Sequence, residues 1–512
     1  MWTLRRTKHG PWPKRLARGA CVGLIAVILS AIVVGTDGNL FAGGGFVGLL
    51  AVIAVTVYRL DWGINLFVLA VMLFDQFEVP GFPSFTFRVG YFLNLSTIEY
   101  LPSLPQGIVT PMELHLLFVS FIWAVLLASR RMEWVKGIPL KASGALFMLA
   151  VVSGLVHGFV KGGDLVVSLW ETRALIYFGI MLVLVPQIVR TEEQVRMVIW
   201  FAIIGIAVKA LQGAIRFASL RFSFGWWPNI YETLTNHEDP LFFSALFILL
   251  TSFVIFGWRG KQRRVLKWLS IPLGLGFIAS NRRAAYASLI MMAFGYFALM
   301  PSKMQARMYK GLGVFLILFS LYLGAFWNNP YGRFGAVALQ VKSTVTGEGG
   351  VRGEYKDRTS TLYRLQENYN LAQTIQASPI LGLGFGIPFQ MPIKLVNINI
   401  NKLGKFIPHN QILWVFMRMG IVGAFCFWFF MNTYIAWASI VFLRLNDVYF
   451  KSVCAVAVTC ILGQLVVSYV DMQLTWYRNM VFLGLLMGLV PVLARLDATT
   501  KPSSQDRPVF AA

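Results

Sequence analysis

Charge is scarce in this chain. Only 13% of its 512 residues are Asp, Glu, Lys or Arg, where about 25% is usual for soluble domains, and 57% are hydrophobic against roughly 45–50%. That composition argues against a water-soluble globule. Acid is the scarcer sign, with 22 Asp and Glu against 45 Lys and Arg and a formal charge of +23. Cysteine is limited to Cys21, Cys426, Cys454 and Cys460, all inside apolar stretches. A disulfide framework of the small secreted kind is excluded, and the four read as core or lipid-facing thiols. There is no Walker A sequence, no Cys-x-x-Cys, no His-Glu-x-x-His and no Asp-x-Asp. Residues for ATP hydrolysis, zinc chemistry and the common acidic metal motif of sugar transfer are therefore missing. No metal and no cofactor are expected, and any chemistry on phosphate has to rest on arginine.

What the chain has is apolar blocks of about 17–22 residues, each long enough to cross the ~30 Å hydrocarbon layer as a helix. Spans are expected near 18–35, 45–58, 62–78, 111–128, 143–160, 174–189, 197–215, 241–257, 266–280, 284–300, 311–327, 411–443, 452–470 and 478–494. The fold class is an all-α polytopic membrane protein with about fourteen transmembrane helices and a large outer, periplasmic loop carrying amphipathic helices. Basic clusters such as Arg130 with Arg131, Arg259 with Arg263 and Arg264, and Arg444 with Lys451 fall in alternate loops. With cationic loops retained inside, both termini are cytoplasmic, and the excess positive charge is an orientation signal rather than a sign of nucleic acid. The chain divides into a basic N-terminal segment 1–17, helices 18–199, a core 200–443 that includes the outer loop 328–408, helices 444–494 and a cytoplasmic tail 495–512. Residues 411–443 are too long for one span. Gly420 and Gly423 point to a short interfacial helix, His409 to Met419, before the true crossing.

The informative charges are those that orientation does not explain. Ala279-Ser-Asn-Arg-Arg-Ala-Ala-Tyr286 sets Arg282 and Arg283 at the outer ends of two apolar helices, and Trp170-Glu-Thr-Arg173 closes an outer turn and opens the next span. Snorkelling to headgroups is the bland account of each. The functional one is an anion site, because a guanidinium matches phosphate oxygens bidentately and keeps its charge. In the long outer segment, Leu362, Leu365, Tyr369, Ala372 and Gln376 recur at helical spacing over Thr359 to Ala377. That pattern predicts an amphipathic helix on the membrane surface. Arg358 and Arg364 flank its start, where a solvated polar face is the ordinary reading and substrate contact the alternative. Gly382, Gly384 and Gly386 lack the strand and helix of a dinucleotide loop and read as a turn. Two histidines open outer helices: His237 before Asp239-Pro240, and His409 before Asn410-Gln411. An imidazole titrates near pH 6.5 and suits general-base work, although capping is the simpler explanation at such positions.

Three elements occur in one order: Arg282-Arg-Ala-Ala at an outer helix junction, Gln376-Ala-Ser-Pro-Ile-Leu-Gly-Leu-Gly-Phe-Gly in the outer loop, and His409-Asn-Gln-Ile-Leu leading into Arg418-Met-Gly-Ile-Val-Gly. Together, over roughly residues 200–440, they resemble the bacterial O-antigen ligase and O-antigen polymerase superfamily. The resemblance implies a metal-independent glycosyltransferase in the bacterial inner membrane with its active site on the periplasmic face. Its donor would be a glycan on undecaprenyl pyrophosphate, and its acceptor a sugar hydroxyl on a growing glycan or on lipid A core. The lipid bilayer and other polysaccharide-assembly proteins would be its neighbours. By the same resemblance, His409 activates the acceptor, and Arg283, with Arg282 beside it and Arg173 more distantly, holds the pyrophosphate. Arg358, Arg364, His237 and Asn410 are candidate glycan contacts. Asn281-Arg282-Arg283 stands where the family has Ser-Arg, which leaves open which arginine takes the role. The competing class is a lipid-linked glycan flippase or transporter, for which Lys209 and His157, both near span ends, are the best support.

Overall fold

A computed structural model of the protein describes residues 11–499 apart from 37, 80, 83, 99–107, 137–140, 221–232, 330–333, 347–353 and 396–402. The basic N-terminal segment to residue 10, the tail from 500, part of the outer loop, and the side chains of Cys21 and Arg358 lie outside the described residues. Among the described residues the regular structure is helical and no strand occurs. The helices are α1 Pro11–Gly35, α2 Leu40–Tyr58, α3 Leu60–Leu73, α4 Phe85–Arg88, α5 Pro111–Ala128, α6 Lys141–Val160, α7 Leu165–Ile188, α8 Glu192–Ala218, α9 Asp239–Ile255, α10 Lys261–Ala279, α11 Arg283–Leu299, α12 Ser302–Phe326, α13 Ala336–Thr346, α14 Glu354–Ala377, α15 Gln411–Arg444, α16 Val448–Ser468 and α17 Tyr477–Thr499.

Each segment expected to span coincides with a helix, but not every helix is long enough to cross unaided. Among the described residues nine combine a length of at least 18 residues with the apolarity a crossing needs, while Leu60–Leu73, Asp239–Ile255 and Arg283–Leu299 are shorter. Local sequence fixes many of the ends. Thr110 with Glu113 and Thr191 with Gln194 form reciprocal capping boxes at α5 and α8, satisfying backbone donors that a helix start leaves open. Helices α16 and α17 are buried along most of their length, whereas α2 and α12 are largely exposed. All four are apolar, so exposure separates helices sealed in protein from those facing lipid, where apolar surface costs nothing to leave uncovered. Gly484 and Gly488 let α17 approach α7 so closely that a Cβ at either would come within 2.8 Å of Met181 or Val185.

Helix α15 breaks where the glycines predicted. Gly420 has φ +63° and ψ −166°, a kink inside Gln411–Arg444. The break frees peptide groups that nothing in a membrane interior would otherwise satisfy. The turn around Gly382 and Gly384 supplies the partners: Leu383 and Gly384 N–H donate to Met417 and Arg418 C=O at 2.7 and 3.0 Å, and Ile421 N–H donates back to Pro379 C=O at 2.8 Å. This glycine run is thus a turn, as expected, wedged between α6 and the α15 kink. Gly384 has φ +88° and its Cβ position lies 2.5 Å from the backbone of Gly158. Gly384→Ala therefore combines left-handed strain with backbone overlap and is expected to cost about 2 kcal/mol or more, read as a lower melting temperature in detergent.

Below that turn lies a fully buried ion pair. Arg418 Nε donates to Glu171 Oε1 at 2.7 Å, and its two other nitrogens donate to the carbonyls of Gly384, Ile387 and Phe406. Glu171 also accepts from Trp414 Nε1 and from Gly386 N–H. Every polar atom of the pair that could be orphaned is used, the condition under which a buried pair is tolerated. The outer loop is thereby pinned to α7 and α15.

Helix α14 forms where expected, with its apolar stripe turned away from the rest of the protein. Leu362, Leu365 and Tyr369 are exposed, while Glu367, Asn370, Leu371 and Thr374 are buried. Asn370 exchanges two hydrogen bonds with the backbone of Ile393, and Thr374 Oγ1 accepts from Gln390 N–H. The inner face is polar because it packs on a loop with unpaired peptide groups; the apolar stripe is left outward, as a helix resting on lipid requires.

Candidate functional site

Hydrogen bonds gather the loops after α3, α8, α10 and α16 at one end of the bundle. Asn236 and Lys209 reach the Asp75 carboxylate, Tyr477 N–H donates to Gln76 at 2.9 Å, and Leu234 N–H donates to Ala279 C=O at 3.1 Å. The outer loop joins through Asp164 N–H to Gly386 C=O at 2.9 Å. Four of the sequence-predicted residues lie at this end: Arg282, Arg283, His237 and His409.

Arg282 is set by the turn between α10 and α11. Asn281 adopts φ +51°, a left-handed conformation that asparagine tolerates better than other non-glycine residues, and the chain reverses within three residues. The Arg282 guanidinium then donates to Asp471 Oδ2 at 3.0 Å and meets His237 Nε2, while His237 Nδ1 lies 3.3 Å from the same carboxylate oxygen. Trp476 closes the group, its ring edge-on to His237 with centroids 4.8 Å apart. Arg282 is thus the arginine of the pair that this triangle holds; Arg283 is half-buried as the first residue of α11.

His409 is held from the other side. Its backbone N–H donates to Glu367 Oε2 at 3.0 Å and its Nδ1 lies 3.2 Å from Glu367 Oε1. Tyr363 stands edge-on to the imidazole with centroids 5.6 Å apart. Both histidines keep a substantial part of their side chains exposed, 32% for His409 and 39% for His237, while their carboxylate partners are 1% and 4% exposed. Two imidazoles are therefore presented to solvent from buried anchors. The two halves share one electrostatic environment. Burial would raise the Asp471 carboxyl, but the charges of His237, Arg282 and His409 outweigh it and hold it well below the usual carboxylate range. On the other half, burial and the Glu367 carboxylate push the Tyr363 hydroxyl up to about 12.

A depressed carboxyl contributes stability that is present above its unfolded value, about pH 4, and is lost only as pH falls through the lower folded value. Acidification from pH 7 to 5 is therefore expected to leave Asp471 ionised and the triangle intact. Infrared difference spectra of wild type against Asp471→Asn should show no protonated-carboxyl band from this residue above about pH 4.

The remaining candidates lie elsewhere or are occupied. Arg173 is not at an outer turn: α7 begins at Leu165, so the residue sits about two turns inside the helix. It is buried 3.4 Å from Glu113 Oε1 and 5.1 Å from the Trp170 ring centroid, and Trp170 stacks in turn on Tyr477, the residue after Trp476. Asn410 caps α15 by accepting from Leu413 N–H and donates to Asn368, and it is 2% exposed. Arg364 is half-buried on α14. Lys209 and Asp75 close a buried pair with Gln212 and Thr86.

Sequence reading missed Glu367, Asp471, Tyr363 and Trp476. Asp471 carried a signal, as an acid in a short turn between two apolar spans. Glu367 carried a weaker one, as a carboxylate on a helix read by its apolar residues alone.

A search of curated protein sequences finds no match to the chain. The family model described as O-antigen ligase matches residues 268–428. This stretch is narrower than the 200–440 that the motifs suggested. It takes in Arg282, Arg283, Glu367 and His409, and leaves Arg173, His237 and Asp471 outside. Residues 268–428, which carry the junction arginine, the pinned glycine turn and the helix-opening histidine, are similar to the O-antigen ligase family.

Proposed function

We propose that this protein is a glycosyltransferase of cell-surface polysaccharide assembly that moves a glycan from undecaprenyl pyrophosphate to a sugar hydroxyl at the periplasmic face of the inner membrane. The observation that carries the reading is the convergence of His409, held by Glu367, with Arg282, held by Asp471, at one end of the helical bundle. Displacement at an anomeric carbon needs a base for the acceptor proton and fixed positive charge for the departing diphosphate. His409 Nε2 supplies the first. Arg282, with Arg283 beside it, supplies the second, and Arg173 lies deeper, where the diphosphate would lead into its lipid tail.

In this reading the fourteen expected segments all cross, both termini are cytoplasmic, and the loop 328–408 is periplasmic. Alternation of helix ends supports it, since the loops of the site gather at one end and Arg130, Arg190 and Arg259 fall in the loops between. Within the family function we favour a growing glycan as acceptor, hence a polymerase, over transfer to lipid A core. Flipping of the lipid-linked glycan is the alternative, and the pairing of Lys209 with Asp75 weighs against it, because a charge satisfied inside the protein is not one that lines a path. The test is purified protein with an undecaprenyl-pyrophosphate glycan, with and without chelator, offered a second glycan or lipid A core. Chain growth that survives chelation is expected. Transfer to lipid A core would make it a ligase, and movement of the glycan without a new glycosidic bond would overturn the proposal.

A further inference from the structure

Glu367 lies on a helix outside the apolar bundle, yet it is among the most buried acids of the chain and faces the one histidine read as a base. We infer that Glu367 is the positioning residue of the transfer, fixing His409 as the tautomer whose lone pair on Nε2 takes the acceptor proton. The inference rests on the proposed role of His409 and deepens it.

The argument is one of donors and acceptors. An ionised carboxylate only accepts, so an imidazole nitrogen 3.2 Å from Glu367 Oε1 must carry the hydrogen, which leaves the lone pair on the other nitrogen. The second oxygen, Oε2, accepts the backbone N–H of the same residue at 3.0 Å. One side chain thus fixes both the ring and the main chain of His409, directly before the residue that caps α15. The Tyr363 ring, edge-on to the imidazole, limits its rotation. During transfer the acceptor O–H proton passes to His409 Nε2 and the oxygen forms a bond to the anomeric carbon. The bond from that carbon to the diphosphate oxygen breaks, and the electron pair leaves on undecaprenyl diphosphate. The imidazolium so formed faces the buried carboxylate, which stabilises it until the proton returns to water. The polar inner face of α14 gains a purpose from this: it seats a helix whose position sets the geometry of the base.

Glu367→Gln tests the role. Glutamine has one acceptor oxygen for the two donors and must turn its amide nitrogen toward one of them. Where that nitrogen faces Nδ1, the ring proton moves to Nε2 and the base is blocked. The expected result is a fall in kcat of about 10²-fold or more with KM for the donor little changed. The accompanying readout is the tautomer itself, by nitrogen-15 NMR of histidine-labelled protein in bilayers at pH 8. Only five histidines are present, and the His409 signal is assigned by comparison with His409→Asn. Wild type should show Nδ1–H, and Glu367→Gln a gain of Nε2–H. An Nε2–H tautomer in wild type overturns the inference whether or not the variant folds, and so does an unchanged kcat in Glu367→Gln. Absence of any transfer by wild type would instead overturn the proposed function, and the tautomer measurement tells the two failures apart.

Discussion

His409→Ala is expected to reduce glycan transfer by 10²- to 10⁴-fold, roughly the contribution of a positioned general base, while protein level and membrane insertion stay at wild-type values. The side chain is about a third exposed and its ring meets Tyr363 and Glu367, so its removal opens mainly toward solvent. The cost on the structural side is the Glu367 carboxylate losing one of its partners, and the backbone N–H of residue 409 still donates to the other oxygen. His409→Gln should not restore activity, because an amide accepts a hydrogen bond without taking the proton. Transfer assays on purified variants, with melting temperature as control, check both statements. Full activity of His409→Ala would remove the enzymatic reading.

Arg282→Ala is expected to cost a further 10²- to 10³-fold in kcat/KM, comparable with deleting one preorganised donor at a site of developing charge. Arg282→Lys should recover only part of it, since an ammonium cannot reproduce the fork that a guanidinium offers to two phosphate oxygens. The deletion also leaves Asp471 with His237 as its partner in the triangle, so a change in the pH dependence of donor binding should accompany the loss. Arg283→Ala is expected to have the smaller effect, because Arg282 is the one placed against both Asp471 and His237. Donor titrations at fixed acceptor separate the two arginines. An Arg283 effect larger than that of Arg282 would assign the diphosphate to the other residue.

Much of this arrangement was legible before any coordinates. Apolar block length gave the helices, and Gly420 marked the break in α15. Three short motifs in a fixed order pointed to the family whose model matches residues 268–428. At α14 periodicity gave the helix and its apolar stripe of Leu362, Leu365 and Tyr369, but not the opposite face that carries Glu367. A helix between lipid and protein buries whichever side satisfies its neighbour, and here the neighbour was a loop with open peptide groups that needed Asn370 and Thr374. Arg173 was read as a helix start because Glu171, Thr172 and Arg173 interrupt the apolar run, whereas α7 begins about two turns earlier at Leu165 and carries these three residues inside it.

The helical, membrane-type architecture and the likeness of residues 268–428 to the O-antigen ligase family are written in composition and local spacing, which are properties of neighbours along the chain. Only the tertiary structure decided that Arg282 meets His237 and Asp471, that Glu367 backs His409, and that these groups face one another across loops far apart in sequence. Pairing of a buried charge depends on which helix ends are brought together, and that is set by packing of whole helices, which no local pattern encodes.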